Sequence, residues 1–207
     1  MMQNGRINLQ VLEFYYMFPD FMRECVVRPL THPSSAPFAP ASFSRFASSL
    51  HTATFALCQI LDNYVGTLKL PLVKRLSLVE VDISDASLQS IIHSSCPALE
   101  SLLLVCNRGG RRVTINSSNL VSIGIRSDGG KLIIEDVPSL RRLLHDSVDA
   151  QLQITVMSAP VLDTLGKISE FPNETNIVIG STVIQVLPLH VTLTCVIQKH
   201  LRFTSTS

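Results

Sequence analysis

Pro97-Ala98-Leu99-Glu100-Ser101-Leu102-Leu103-Leu104 decides how this chain folds. Its frame is P-x-φ-x-x-φ-x-φ, with φ apolar. Pro71-Leu72-Val73-Lys74-Arg75-Leu76-Ser77-Leu78 fits the same frame upstream. Ser118-Asn119-Leu120-Val121-Ser122-Ile123-Gly124-Ile125 repeats it downstream with Ser in place of Pro. Two further copies start at Pro138 and Pro160, where the last φ position holds His145 and Lys167. A sixth copy opens at Ser48 and runs through Leu50 and Ala53 to Phe55. The anchors at 48, 71, 97, 118, 138 and 160 are 23, 26, 21, 20 and 22 residues apart.

These gaps lie within the period of about 20–29 residues that marks leucine-rich repeats, whose core is L-x-x-L-x-L. The last two apolar positions alternate, so they share one face of a short strand. The first sits on the turn that enters it. One such row cannot be covered by its own repeat, so neighbouring repeats must stack over it. The expected fold is therefore an α/β leucine-rich repeat solenoid of short parallel strands. Between the strands the return segments change character. Ser84 is a candidate N-cap, Asp85 suits a first turn, and Leu88, Ile91 and Ile92 share a helical face that Pro97 closes. That return reads as a helix. Arg112–Ile115, Lys131–Glu135 and Gln151–Val156 alternate or are rich in β-branched residues and read as strands. Asp128-Gly129-Gly130 and Asn107-Arg108-Gly109-Gly110 read as the turns joining them.

Around this centre the expected organisation has three parts. Residues 1–42 form an N-terminal extension with a linker rich in proline (Pro29, Pro33, Pro37, Pro40). Within it, residues 8–27 suggest a short apolar helix broken near Pro19. Residues 43–186 hold the repeats. Residues 187–207 form a divergent tail, with β-rich pieces from Asn176 onward on either side of Pro188.

Composition narrows the function classes. Seventeen Lys and Arg against sixteen Asp and Glu leave a net charge of +1. That gives no field to gather nucleic acid or an anionic membrane. Hydrophobic residues make up 46% and charged residues 16% of the chain, which argues against intrinsic disorder. The five cysteines (Cys25, Cys58, Cys96, Cys106, Cys195) include no C-x-x-C pair, so zinc and dithiol redox sites are not expected. Reduced, buried thiols in a cytoplasmic or nuclear protein fit better. Residues 175–198 carry no Asp, Glu, Lys or Arg, but Ser, Thr, Gln and Pro188 among Val and Ile suit strands rather than a membrane helix. No His pair has metal-ligand spacing. Gly124-Ile125-Arg126-Ser127-Asp128-Gly129 lacks the spacing of a nucleophile elbow, and Arg108-Gly109-Gly110-Arg111-Arg112 lacks that of a phosphate loop. No catalytic residue, metal or cofactor is expected, and a small hydrolase is the weaker alternative.

The segments Phe43–Cys58, Leu70–Leu78, Ile83–Ile92, Ser95–Leu104, Leu132–Leu144 and Val156–Gly166 together resemble the leucine-rich region of plant F-box/LRR-repeat proteins of the FBD type. The resemblance implies a substrate-recognition region of an SCF-type ubiquitin ligase. Neither an F-box pattern in residues 1–42 nor an FBD module after Val186 is found. The resemblance thus leaves recognition alone, or a truncated remnant without ligase recruitment. A Skp-type adaptor is expected only if an F-box is present elsewhere. The candidate binding residues lie on the open concave strand face: Arg75, Ser77, Ser101, Leu103, Ser122, Arg126, Arg142, Leu144 and Thr164. Arginine and apolar anchors are the types that carry protein interfaces, although a plain solvated sheet face would hold the same residues. The expected partner is an unidentified protein, with no nucleic acid and no membrane.

Overall fold

A computed structural model describes residues 11–15, 46–109, 111–147, 152–167, 175–179, 182–186 and 195–196. The proline-rich linker and most of the tail lie outside them. The chain divides into two compact units, residues 1–113 and 114–207.

In the first unit four parallel strands stand side by side: β1 (Val11–Tyr15), β2 (Thr52–Ala56), β4 (Arg75–Val79) and β6 (Ser101–Val105). The pairing is in register, with Ala53 opposite Leu76, and Leu76 opposite Leu102. The φ positions of the frame all point inward: Leu76, Leu78, Leu102 and Leu104 are 1%, 0%, 1% and 3% exposed. Each contributes roughly 1.5–3 kcal/mol by leaving water, so these rows dominate the folding free energy of the unit.

The turn that enters each strand explains the proline. The residue before it is buried (Leu70, Cys96), and its carbonyl accepts from the N–H of the first φ residue (Val73, Leu99) at 3.2 and 3.1 Å. Proline occupies the second position of that turn, where its fixed φ is already correct. Immediately before each strand, one carbonyl serves the next repeat twice. His51 O accepts from the N–H groups of Lys74 and Arg75, and Lys74 O from those of Glu100 and Ser101.

The returns of this unit are short β-bridges and helices. β3 (Gln59–Ile60) pairs in parallel with β5 (Asp82–Ile83), and Asp82 bridges onward to Arg108. A four-residue helix, α1 (Asp62–Val65), was not anticipated from sequence. The expected helix is present as α2 (Asp85–Ser90) and continues as a π-helical turn, Ile91–Ser95. Ser84 caps it, accepting from the Ser87 N–H at 3.1 Å. Leu88, Ile91 and Ile92 are buried as their spacing requires.

The second unit repeats the frame with strands as returns. β8 (Ser122–Ser127), β10 (Arg142–Ser147) and β12 (Thr164–Lys167) are parallel neighbours, and β15 (Cys195–Val196) pairs antiparallel with β12. A second sheet runs β9 (Gly130–Asp136), β11 (Leu152–Val156), β13 (Thr175–Ile179) and β14 (Thr182–Val186), the last pair antiparallel. β7 (Arg112–Asn116) straddles the unit boundary. Val121 O and Arg141 O each accept two N–H groups from the next repeat, as in the first unit. The fold is thus the expected α/β leucine-rich repeat stack, with helical returns giving way to strands.

One expectation is corrected. Residues 11–15, read as part of a short helix, form β1, which pairs with β2 from Val11↔Thr52 to Tyr15↔Ala56. The first repeat offers an open strand edge, and extended pairing satisfies its backbone groups where a helix would not. Of the β-rich pieces expected from Asn176 onward, the described residues show β13 and β14 before Pro188 and β15 after it. No helix among the described residues is long and apolar enough to cross a membrane. Cys58 and Cys96 are free and buried, and burial pushes their thiols up to about 11 and about 12. At such values the reactive thiolate is scarce at neutral pH.

Candidate partner-binding face

Strand alternation sends every second residue away from the core. In the first unit the outward rows, read across β2, β4 and β6, are Thr52–Arg75–Ser101, then Thr54–Ser77–Leu103. Arg75 is exposed, and Ser77, Ser101 and Leu103 are half-buried. In the second unit the rows across β8, β10 and β12 are Ser122–Arg142–Thr164, then Gly124–Leu144–Gly166. Arg142 is exposed, while Ser122, Arg126, Leu144 and Thr164 are half-buried. Arg126 stands opposite Asp146 in register. All nine sequence-derived residues therefore occupy outward positions, and within each unit they are strand neighbours.

Leu103 and Leu144 both differ from the expectation of exposed anchors: each is half-buried. Both register neighbours of Leu144 are glycine. A methyl group on Gly166 would sit 3.2 Å from Leu144 Cδ2, so the leucine lies over the glycine rather than standing into solvent. Gly124 is buried on its other side.

Just before the strands the chain pairs its own charges. Lys74 Nζ is 2.8 Å from Glu100 Oε1, and Arg141 Nη1 is 3.7 Å from Asp163 Oδ2. Arg75 and Arg142, one residue later, carry no ion pair among the described residues.

Sequence reading missed two polar arrangements. Asn107 donates to Leu78 O at 3.0 Å and accepts from the Val81 N–H at 2.9 Å, tying the third repeat to the second. Its signal was present: Asn107 lies three residues past the last φ leucine, where the repeat motif places Asn or Cys, and Cys58 and Val81 hold the equivalent positions. Asp62 accepts from the hydroxyls of Ser84 and Ser87 at 2.6 and 2.5 Å. Those two bonds hold its carboxyl below the usual carboxylate value. Asp62 lines an open groove of about 370 Å³ with Gln59, Asp82, Ser84 and Gly109. Asp82 in turn accepts from Gln59 at 3.3 Å. Both carboxylates are thus engaged in holding adjacent repeats together. No group of three metal-ligating side chains occurs among the described residues. Arg108, read as part of a turn, also runs beside β5: Ile83 N–H donates to Arg108 O at 2.9 Å.

A family model described as FBD-associated F-box protein At5g56370, LRR repeats, matches residues 18–199. No curated protein and no solved structure matches the chain. The match spans the strand frame in both units and most of the chain. The chain belongs to the leucine-rich repeat family of FBD-associated F-box proteins.

Proposed function

We propose that this chain is a non-enzymatic protein-binding region that holds the target protein of an SCF-type ubiquitin ligase. Leucine-rich repeats of F-box proteins are interaction modules, which supports the general role. The observation that carries the specific reading is the outward strand face of each unit. The first presents Arg75 with half-buried Leu103, the second Arg142 with half-buried Leu144, and neither arginine has an ion-pair partner among the described residues. Interface cores combine arginine with apolar surface. Contact with a Skp-type adaptor is assigned to an F-box segment, and to no residue of the face.

The test is co-purification from native cells with tagged wild type and a Leu103→Asp, Arg142→Glu variant. Proteins recovered with wild type and lost with the variant are the expected outcome. Fusion of an F-box segment adds the adaptor in both cases. An identical set of proteins from both chains would refute the face as the binding surface.

A further inference from the structure

The row Thr52–Arg75–Ser101 has a composition that the fold does not require. Its three residues are register neighbours on adjacent parallel strands. They face outward, because Ala53, Leu76 and Leu102, the next residues along each strand, are buried. None of the three side chains has a partner among the described residues. The contrast with the preceding position is instructive. There Lys74 is matched by Glu100, and in the second unit Arg141 by Asp163. The cations at the strand entry are answered by the protein's own carboxylates; among the described residues, the cation one step onto the face is not.

A guanidinium between two hydroxyls presents only donors toward an incoming oxygen, apart from the hydroxyl lone pairs. The planar fork spans two oxygens at once. It supplies one positive charge, which one carboxylate balances. A phosphomonoester carries about −1.5 to −2 at neutral pH and would leave part of its charge unmatched. Below this row, Thr54, Ser77 and Leu103 continue the face with two hydroxyls and an apolar side chain.

We propose that Thr52, Arg75 and Ser101 form a subsite for an Asp or Glu carboxylate on the bound protein. The proposal rests on the protein-binding reading above and narrows it: the partner segment crossing β2, β4 and β6 is acidic. The equivalent row in the second unit, Ser122–Arg142–Thr164, is built differently. Thr164 Oγ1 donates to Asp163 Oδ1 at 2.9 Å, so that row already has a carboxylate beside it and one hydroxyl fewer to offer. Arg142 is therefore the internal comparison.

The test uses the full chain and a fluorescein-labelled oligoglutamate peptide at low ionic strength, with oligoglutamine and a phosphoserine peptide of equal length alongside. Oligoglutamate binding is expected, and Arg75→Gln weakens it about tenfold, the scale of a hydrogen bond to a charged group. Arg75→Lys also weakens it, because an ammonium cannot span both oxygens. Thr52→Val with Ser101→Ala reduces it further, and Arg142→Gln changes it less than Arg75→Gln. Unchanged thermal melting by circular dichroism establishes that each variant is folded. Equal binding by wild type and Arg75→Gln, full retention by Arg75→Lys, preference for the phosphoserine peptide, or no oligoglutamate binding would each overturn the subsite. A cellular partner lost with Leu103→Asp but indifferent to Arg75→Gln would overturn it while leaving the protein-binding face intact.

Discussion

The two units build the same strand frame and leave it by different routes. In the first unit the chain exits β2, β4 and β6 through a left-handed residue that is not glycine: Leu57, Glu80 and Cys106, with φ of 54°, 52° and 48°. Each lies two residues past the last buried φ residue of its strand. The N–H groups of Leu57 and Glu80 donate to Val79 O and Val105 O of the next repeat, at 3.0 and 2.7 Å. A left-handed conformation costs about 1–2 kcal/mol for a residue with a Cβ, so a recurring structural demand must hold it. That demand is the sharp departure from the sheet into β3, β5 and the helices. In the second unit the equivalent residue, Ser127, is still in β8. Positive φ is deferred to Gly129 and Gly130, at 134° and 109°, and the chain runs on into β9. After β2 and β4 the left-handed residue starts an irregular or helical return; after β6 left-handed Cys106 leads on to β7, and after β8 the glycines lead directly into β9. The two longest gaps between anchors, 23 and 26 residues, are those that hold β3, β5 and the helices.

Variants can break or sharpen this comparison. The largest effect belongs to what the units share. Leu78→Ala in the first and Leu143→Ala in the second each remove a leucine that is 0% exposed. Each is expected to cost about 2–5 kcal/mol in urea unfolding, and a negligible loss in either unit would show that its rows are not packed alike. Gly109→Ala comes next. Its φ is +91°, and the added Cβ would meet Ile83 O at 2.4 Å, so a loss of about 2 kcal/mol or more is expected. Gly166→Ala in the second unit meets only the end of the Leu144 side chain at 3.2 Å and is expected to cost clearly less. Asn107→Ala removes both bonds to Leu78 and Val81, for about 1–2 kcal/mol, and is expected to lower protection of the Val81 amide in hydrogen exchange.

Ser84→Ala should cost about 1 kcal/mol through the lost N-cap, with a pH signature. The Asp62 carboxyl is held below its ordinary value of 3.8 by the Ser84 and Ser87 hydroxyls. The unfolded chain therefore binds more protons, and the stabilisation present at neutral pH fades as pH falls through the carboxylate range. In Ser84→Ala this acid dependence should be shallower, measured as urea midpoints at neutral pH and below about pH 4. The smallest effects are expected from the exposed pairs. Lys74→Met and Arg141→Met should each change stability by within about 1 kcal/mol. A larger loss would mean that strand-entry charges, rather than the apolar rows, set the order of the repeats.

Much of the strand face is legible in the sequence. The P-x-φ-x-x-φ-x-φ frame places Arg75, Ser101, Ser122, Arg142 and Thr164 on outward positions because a strand has a period of two. What the frame omits is how outward side chains treat one another. Leu103 and Leu144 read as exposed anchors, yet both are half-buried. Asp62 carries no local signal; only the stacking of one return on the next brings it to Ser84 and Ser87. Residues 11–15 failed for a related reason. Val11-Leu12-Glu13-Phe14-Tyr15 is compatible with either period, and the open edge of β2 selected the strand.

The amino-acid sequence alone determined the repeat, its spacing, the buried rows and the capped helix at Ser84, since each follows from local periodicity, capping and turn chemistry. Tertiary structure alone decided the register between repeats, the partners of Asn107 and Asp62, and which cations are paired among the described residues. Those depend on contacts between residues twenty or more positions apart, and a local pattern does not encode which of them meet.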